Sequence, residues 1–218
     1  MVEQVVLERA LQPEILDSLP PDDGEAQRSR RDLRRINFLM GNHRWIRRQV
    51  ATSGASLVVE LGAGGGELLR SLNEDGFSVA GIDLIPRPEQ LSSSVCWWEG
   101  DVFEHIAEAT QSERAMIVAN LFLHHLDSGE LARLGSLASN AAAWCVCEPW
   151  RSRFSLAQAY SLWPMVNNVT RHDMIVSIKA GFRSGELPHA LGLDSPGWQV
   201  RERLSWRGGY RMFAVRVP

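Results

Sequence analysis

Hydrophobic spacing along the chain changes character near residue 50. Before that point Leu33, Ile36 and Met40 recur at helical intervals among the arginines Arg28, Arg30, Arg31, Arg34, Arg35, Arg44, Arg47 and Arg48. One apolar stripe can pack while the charged face stays in water. Pro20, Pro21, Asp22, Asp23 and Gly24 mark a turn between a short first helix and this arginine-rich segment. Beyond residue 50 the apolar positions bunch into short runs, the pattern of strands buried on both faces. Strands are predicted at 56–62, 77–83, 95–99, 115–123 and 141–148. A helix over 67–75 follows the first, with Gly76 as its cap, and Asp127 with Glu130 opens another as a capping-box variant. Further helices are predicted at 152–162 and 171–180, the latter capped by Thr170 and closed by Gly181. The last residues alternate polar and apolar on either side of Gly208, which predicts an antiparallel hairpin. Strand–helix alternation of this kind implies an α/β protein with a doubly wound, mostly parallel sheet. A helical cap is expected over residues 1–50 and the main domain over 51–218.

Composition narrows the function classes. The 218 residues suit one domain with a cap. A net charge of −3 argues against a general nucleic-acid binder, which carries a basic surplus. No apolar stretch reaches membrane-spanning length, and the acidic N-terminus lacks a signal-peptide layout, so a cytoplasmic location is expected. Cys96, Cys145 and Cys147 form no disulfide framework. Cys145 and Cys147 share one face of a strand and read as reduced core residues. No further ligands stand at suitable spacing, so no metal site is expected.

The chemistry is concentrated after the first predicted strand, in VVELGAGGGELL. Gly62, Gly64 and Gly66 let the backbone turn sharply and approach a ligand without a Cβ collision. A dinucleotide fingerprint would need its third glycine at position 67, which is Glu67. Glu67 and Glu60 are also poor neighbours for a pyrophosphate at a helix start. They suit a cation, and S-adenosylmethionine (SAM) carries both a sulfonium and an ammonium. Asp83, at the tip of the second strand, can accept hydrogen bonds from ribose hydroxyls. Asp101 stands where an adenine amine would lie, with Val102 against the ring, and Asn120 and Leu121 would line the floor. The alternative roles are a turn for Asp83 and a helix N-cap for Asp101.

ELGAGGGELL, GIDL, GDVF and ANLFLHHL, in this order, resemble the successive motifs of class I SAM-dependent methyltransferases. The resemblance covers residues 55–150, and the closing hairpin is similar to that family's last two strands. It implies a seven-stranded Rossmann-like sheet, SAM as cofactor, and cofactor contacts at Glu60, Gly62, Gly64, Asp83 and Asp101, with Ala63, Leu84, Val102, Asn120 and Leu121 beside them. RSRRDLRRINFLMGNHRWI and TRHDMIVSIKAGF resemble small bacterial methyltransferases of specialised, polyketide-type metabolism. The family's Asn/Asp-Pro-Pro-aromatic signature for amino methylation is replaced by Asn120, Leu121, Phe122 and Leu123.

Methyl transfer aligns a nucleophile with the sulfonium and often removes its proton. His124 and His125, just past the fourth strand, and His172, in the first turn of a later helix, are the candidate bases. Trp150, Phe154, Tyr160, Trp163, Met165 and Phe182 would furnish an apolar acceptor surface, and Arg151, Arg153 and Arg171 an anion contact. Tryptophans at 97, 98, 144, 150 and 163 are expected around the functional edge, fitting a flat hydrophobic acceptor. The expectation is a monomeric or homodimeric O- or C-methyltransferase acting on a small aromatic or polyketide-like metabolite. The alternatives are an RNA or protein methyltransferase gripping its target with the arginine-rich helix, and a SAM-binding regulator without turnover.

Overall fold

A computed structural model of the chain describes residues 7–20, 22–112 and 114–217. The turn expected at Pro20–Gly24 therefore has Pro21 outside the described residues, as are the first six residues of the expected cap. Seven strands form one sheet: β1 (Leu57–Leu61), β2 (Val79–Asp83), β3 (Cys96–Glu99), β4 (Ala115–Asn120), β5 (Ala143–Pro149), β6 (Trp198–Leu204) and β7 (Gly209–Arg216). Their order is β3-β2-β1-β4-β5-β7-β6. The first five run parallel, and β7 lies antiparallel between β5 and β6. The doubly wound sheet with its closing hairpin is the predicted architecture. Among the described residues no helix is long and apolar enough to cross a membrane.

The period of two along each strand feeds two cores. Val59 and Leu61 of β1 and Trp144 and Val146 of β5 face one core. Val58, Cys145 and Cys147 face the other. On the first face lie α5 (Val102–Ala109), α6 (Ser128–Leu137) and α9 (Glu186–Ala190), and on the second α3 (Asn42–Ser53) and α4 (Glu67–Glu74). Ile46 and Val50 of α3 are fully packed there, so part of the arginine-rich segment is built into the core. Cys145 and Cys147 are buried free thiols, as their spacing suggested.

The segment expected as one helix after Gly24 is two. Gly41, at φ 71°, ends α2 (Gly24–Met40) and turns the chain into α3. A left-handed residue cannot continue a helix, and glycine adopts it freely. Together with α1 (Ile15–Ser18), α7 (Arg153–Leu162) and α8 (Asn168–Ala180), α2 covers the carboxyl ends of β4 and β5. The N-cap of α8 is Asn167, whose side chain accepts from the Thr170 N–H, rather than Thr170 itself. The shift places His172 in the second turn. Asp127 and Glu130 complete a reciprocal capping box on α6.

Candidate active site

The loop from β1 to α4 forms because three glycines accept left-handed backbone angles. Gly62, Gly64 and Gly66 have φ of 63°, 51° and 70°. Only Gly64 faces open space: an added Cβ there would meet nothing within 4 Å. At Gly62 it would lie 2.3 Å from the Phe122 ring, and at Gly66 2.8 Å from Leu91. Their glycines therefore serve internal packing, and Gly64 is the position where a ligand can approach.

Around this bend the acids have distinct states. Glu60 is 4% exposed, and its Oε2 has no hydrogen-bond partner. Burial pushes its carboxyl well above the ordinary range, with Glu67 and Asp83 adding to the effect. An orphaned buried acid of this kind is ready to ionise against a cation. Asp83 accepts from the Gly64 N–H at 2.7 Å and from the Ile85 N–H at 3.1 Å. A carboxylate has further lone pairs, so ribose hydroxyls can still bind it. Asp101 caps α5 by accepting from the Phe103 N–H at 2.9 Å. Val102 is buried in the core, Ala63 packs into the opposite one, and Leu84 is exposed. Asn120 accepts from Asn42 Nδ2 at 3.1 Å, tying α3 to the end of β4. The donor set, the open cradle at Gly64 and the unpartnered Glu60 oxygen fit a cationic nucleoside.

Past the end of β4 lies a largely apolar cavity of about 500 Å³. The stripe Leu33, Ile36 and Met40 of α2 forms one wall. The i, i+3, i+4, i+7 face of α7 (Ser155, Gln158, Ala159, Leu162) and Met174, Ser177 and Ile178 of α8 form others. Leu121 faces it too, at φ 59°, a strained angle for a branched residue. The aromatic expectation is overturned. Trp97 and Trp98 sit on edge strand β3, Trp144 and Phe182 are in the core, and none of the five named tryptophans lines the cavity. Trp206, in the hairpin turn, does. Arg151 is occupied by Glu186 and by the carbonyls of Gly181 and Leu7, and Arg171 by Trp163 O and Asn168. Both are structural.

The polar end of the cavity is the histidine pair. Glu148, fully buried at the end of β5, accepts from the Phe122 and Leu123 N–H groups through Oε1. Its Oε2 lies 2.7 Å from Nδ1 of His124. On the far side Glu14 approaches Nε2 of His124 at 3.5 Å. Burial opposes charge on His124, but the neighbouring carboxylates of Glu14 and Glu148 outweigh it and push the pKa up to about 9. Glu14 is raised by burial, yet its contacts with His124 and then Ser177 leave it below its ordinary value. His125 is stacked against His124 with ring centroids 4.2 Å apart. Burial first, and the charge of His124 second, lower its pKa, so its ring stays neutral. His172 is half-exposed beside Asp173 and does not face the cavity.

Glu14 and Glu148 are candidate site residues that the sequence reading missed. Glu148 had a signal, an acid ending an apolar strand. Glu14 had none. It arrives on an extended strap held by Arg9, which donates to the carbonyls of Ala180, Leu126 and His124, and by Asp173, which accepts from the N–H groups of Ile15 and Leu16.

Residues 26–179 match the family described as a methyltransferase domain, and the chain belongs to that family. SAM is the cofactor of this family. Among solved structures, the plantazolicin methyltransferase BamL, in complex with a triazolic desmethylPZN analog and S-adenosylhomocysteine (SAH), has a TM-score of 0.68 at 11% identity over 92% of each chain. A SAM-dependent methyltransferase from Archaeoglobus fulgidus has 0.54 at 16% identity, covering 82% of this chain and 99% of the other. A structure on conversion of a disulfide bond into a thioacetal group during echinomycin biosynthesis has 0.55 at 14% identity, covering 77% and 78%. These likenesses show the fold. No curated protein matches the chain.

Proposed function

We propose that this enzyme transfers a methyl group from SAM to a hydroxyl or carbon of a small aromatic or polyketide-like metabolite. The observation that carries the acceptor class is the largely apolar cavity of about 500 Å³ past the end of β4, with polar groups at the Glu14–histidine end, at Arg207 and at a few side chains of α7 and α8. Such a volume and lining suit a small hydrophobic ligand oriented by few polar groups. SAM supplies a methyl on a cationic sulfur. Glu60 would ionise toward its ammonium, Asp83 would accept from its ribose, Asp101 would take its adenine amine, and Gly64 would leave room for its methionine moiety. Within the expected 1–50 cap, the strap at Glu14 and α2 close the acceptor side, while α3 packs into the core.

His125 is the base in this reading. It is neutral, it faces the cavity, and it would accept the proton of an acceptor hydroxyl as the methyl passes to that oxygen, its bond to sulfur breaks and SAH leaves. His124 is unsuited to that role, since two carboxylates hold its proton; it positions His125 and the loop. His172 stands outside the cavity. The enzymes crystallised with plantazolicin analogs and with SAH give a precedent for natural-product acceptors on this fold. Calorimetry tests the cofactor half: SAM and SAH should both release heat and raise the melting temperature, and silence with both rejects it. For the base, His125→Gln should lower kcat by about 10²–10⁴-fold with an unchanged SAM affinity, the usual range for a lost proton acceptor. Full turnover in that variant removes His125 from the mechanism.

A further inference from the structure

We propose that Glu14, His124 and His125 form a binding site for a divalent transition-metal ion of the Zn²⁺ class on the wall of the acceptor cavity. The ligand atoms of these three side chains lie within 4.8 Å of one another. Two imidazoles and one carboxylate are a donor set that binds zinc with a fourth position left open. Here the open position faces the cavity, which all three residues line.

Two details point to an ion rather than to an ion pair alone. The Glu14 Oε1 to His124 Nε2 separation is 3.5 Å. A charge-assisted hydrogen bond closes to about 2.7–2.9 Å, as His124 does on its other side with Glu148. Two ligands of a tetrahedral zinc with bonds of about 2.1 Å stand about 3.4 Å apart, which is the gap observed. The second detail is the outer shell. Glu148 fixes the Nδ1 proton of His124 and leaves Nε2 aimed at Glu14, the carboxylate–histidine support that metal ligands carry. Glu148 is itself pinned by two backbone N–H groups, and Ser177 donates to the Glu14 oxygen. The ligand set spans residue 14 and residues 124–125, so no sequence spacing announces it.

The site goes beyond the acceptor chemistry proposed above and competes with it. An ion there displaces the Nε2 proton of His124 into solvent and takes the lone pair that His125 needs as a base, so binding should strengthen as pH rises and metal occupancy should suppress turnover. The test uses the full chain with Co²⁺ and Zn²⁺ alone. Wild-type protein should give the intense visible absorption of tetrahedral Co²⁺, displaced by stoichiometric Zn²⁺. Glu14→Gln and His125→Gln should each weaken Zn²⁺ affinity by more than 10-fold, measured against a chromophoric chelator. His189→Gln, at the exposed His189–Asp194 pair, should leave it unchanged. His125 keeps solvent access on its cavity side, so its variant should melt like wild type and keeps the test valid if Glu14→Gln loosens the strap. Absence of the tetrahedral spectrum, or equal affinity in wild type and His125→Gln, overturns the site. Turnover that holds or rises with the site filled supports the metal site and instead overturns His125 as the base.

Discussion

The proposed cofactor loop and the proposed acceptor cavity are built in opposite ways. The loop is local: Glu60, the three glycines and the α4 start fall within eight residues, and only Asp83 and Asp101 join from neighbouring strands. The cavity is collective. Its wall takes residues from the strap, α2, the ends of β4 and β5, α7, α8 and the hairpin turn. A positively charged nucleoside needs one backbone shape and a few acids, which a contiguous motif can encode. An apolar acceptor needs only surface of the right size, which any helix face can supply. The two regions should therefore be separable by mutation.

The sharpest separation comes from the loop. Gly64→Val forces a branched residue to φ 51° and puts its side chain into the open cradle. Left-handed strain alone costs about 1–3 kcal/mol, and steric exclusion adds to it. SAM affinity should fall by about 100-fold or more in calorimetry, while binding of an apolar probe in the cavity stays intact. The reverse variant is Ile36→Trp, which fills the cavity from α2. It should lower kcat/KM for the acceptor by about tenfold, equivalent to about 1.4 kcal/mol, with SAM affinity within about twofold. If either variant damages both functions equally, the two regions are coupled and the contrast fails.

The same contrast explains what could be read beforehand. The strands, the hairpin and the glycine loop follow from runs of apolar residues and one motif, while the seven-stranded sheet was implied only by the family resemblance. The stripe Leu33, Ile36 and Met40 was visible as a helix face, but what it faces depends on the long-range packing of α2 on α7 and α8. The tryptophans misled because bulk suits a core as well as a pocket: Trp144 fills the interior against β7. The break at Gly41 was hidden because a lone glycine is tolerated in a helix, and its left-handed angle depends on where α3 must go. Glu14 was beyond reach, since its value lies in a strap that folds back over a hundred residues of chain.

A third test uses pH. His124 is held charged in the folded protein, with its pKa raised to about 9 from 6.5. The folded state binds that proton more tightly than the unfolded chain, so the stabilisation is complete below about pH 6.5 and is lost as pH rises through 9. The melting temperature should decline across this window. Glu148→Gln removes one of the two carboxylates and should flatten the decline, while leaving SAM binding near wild type. A wild-type profile flat from pH 6.5 to 9.5 would show that His124 is not held as a cation.

The smallest expected effect concerns the strap. Arg9 donates to Ala180 O at 2.8 Å and to Leu126 O at 2.7 Å, and its guanidinium lies 4.6 Å from the Phe182 ring centroid. Its replacement by alanine removes these contacts but leaves Asp173 holding Ile15 and Leu16. Hydrogen bonds from a charged donor contribute about 1.5–3 kcal/mol when both ends are buried, and less on a partly exposed strap. Arg9→Ala should therefore loosen residues 7–14 locally, seen as faster amide exchange, and raise the acceptor KM a few-fold through a less constrained Glu14. Cofactor affinity should not move, because among the described residues the strap is held by Ala180, His124, Leu126, Phe182 and Asp173 and not by the glycine loop. A loss of SAM binding in this variant would mean that the cap and the loop fold as one unit, and that the division between a local site and a collective one is wrong.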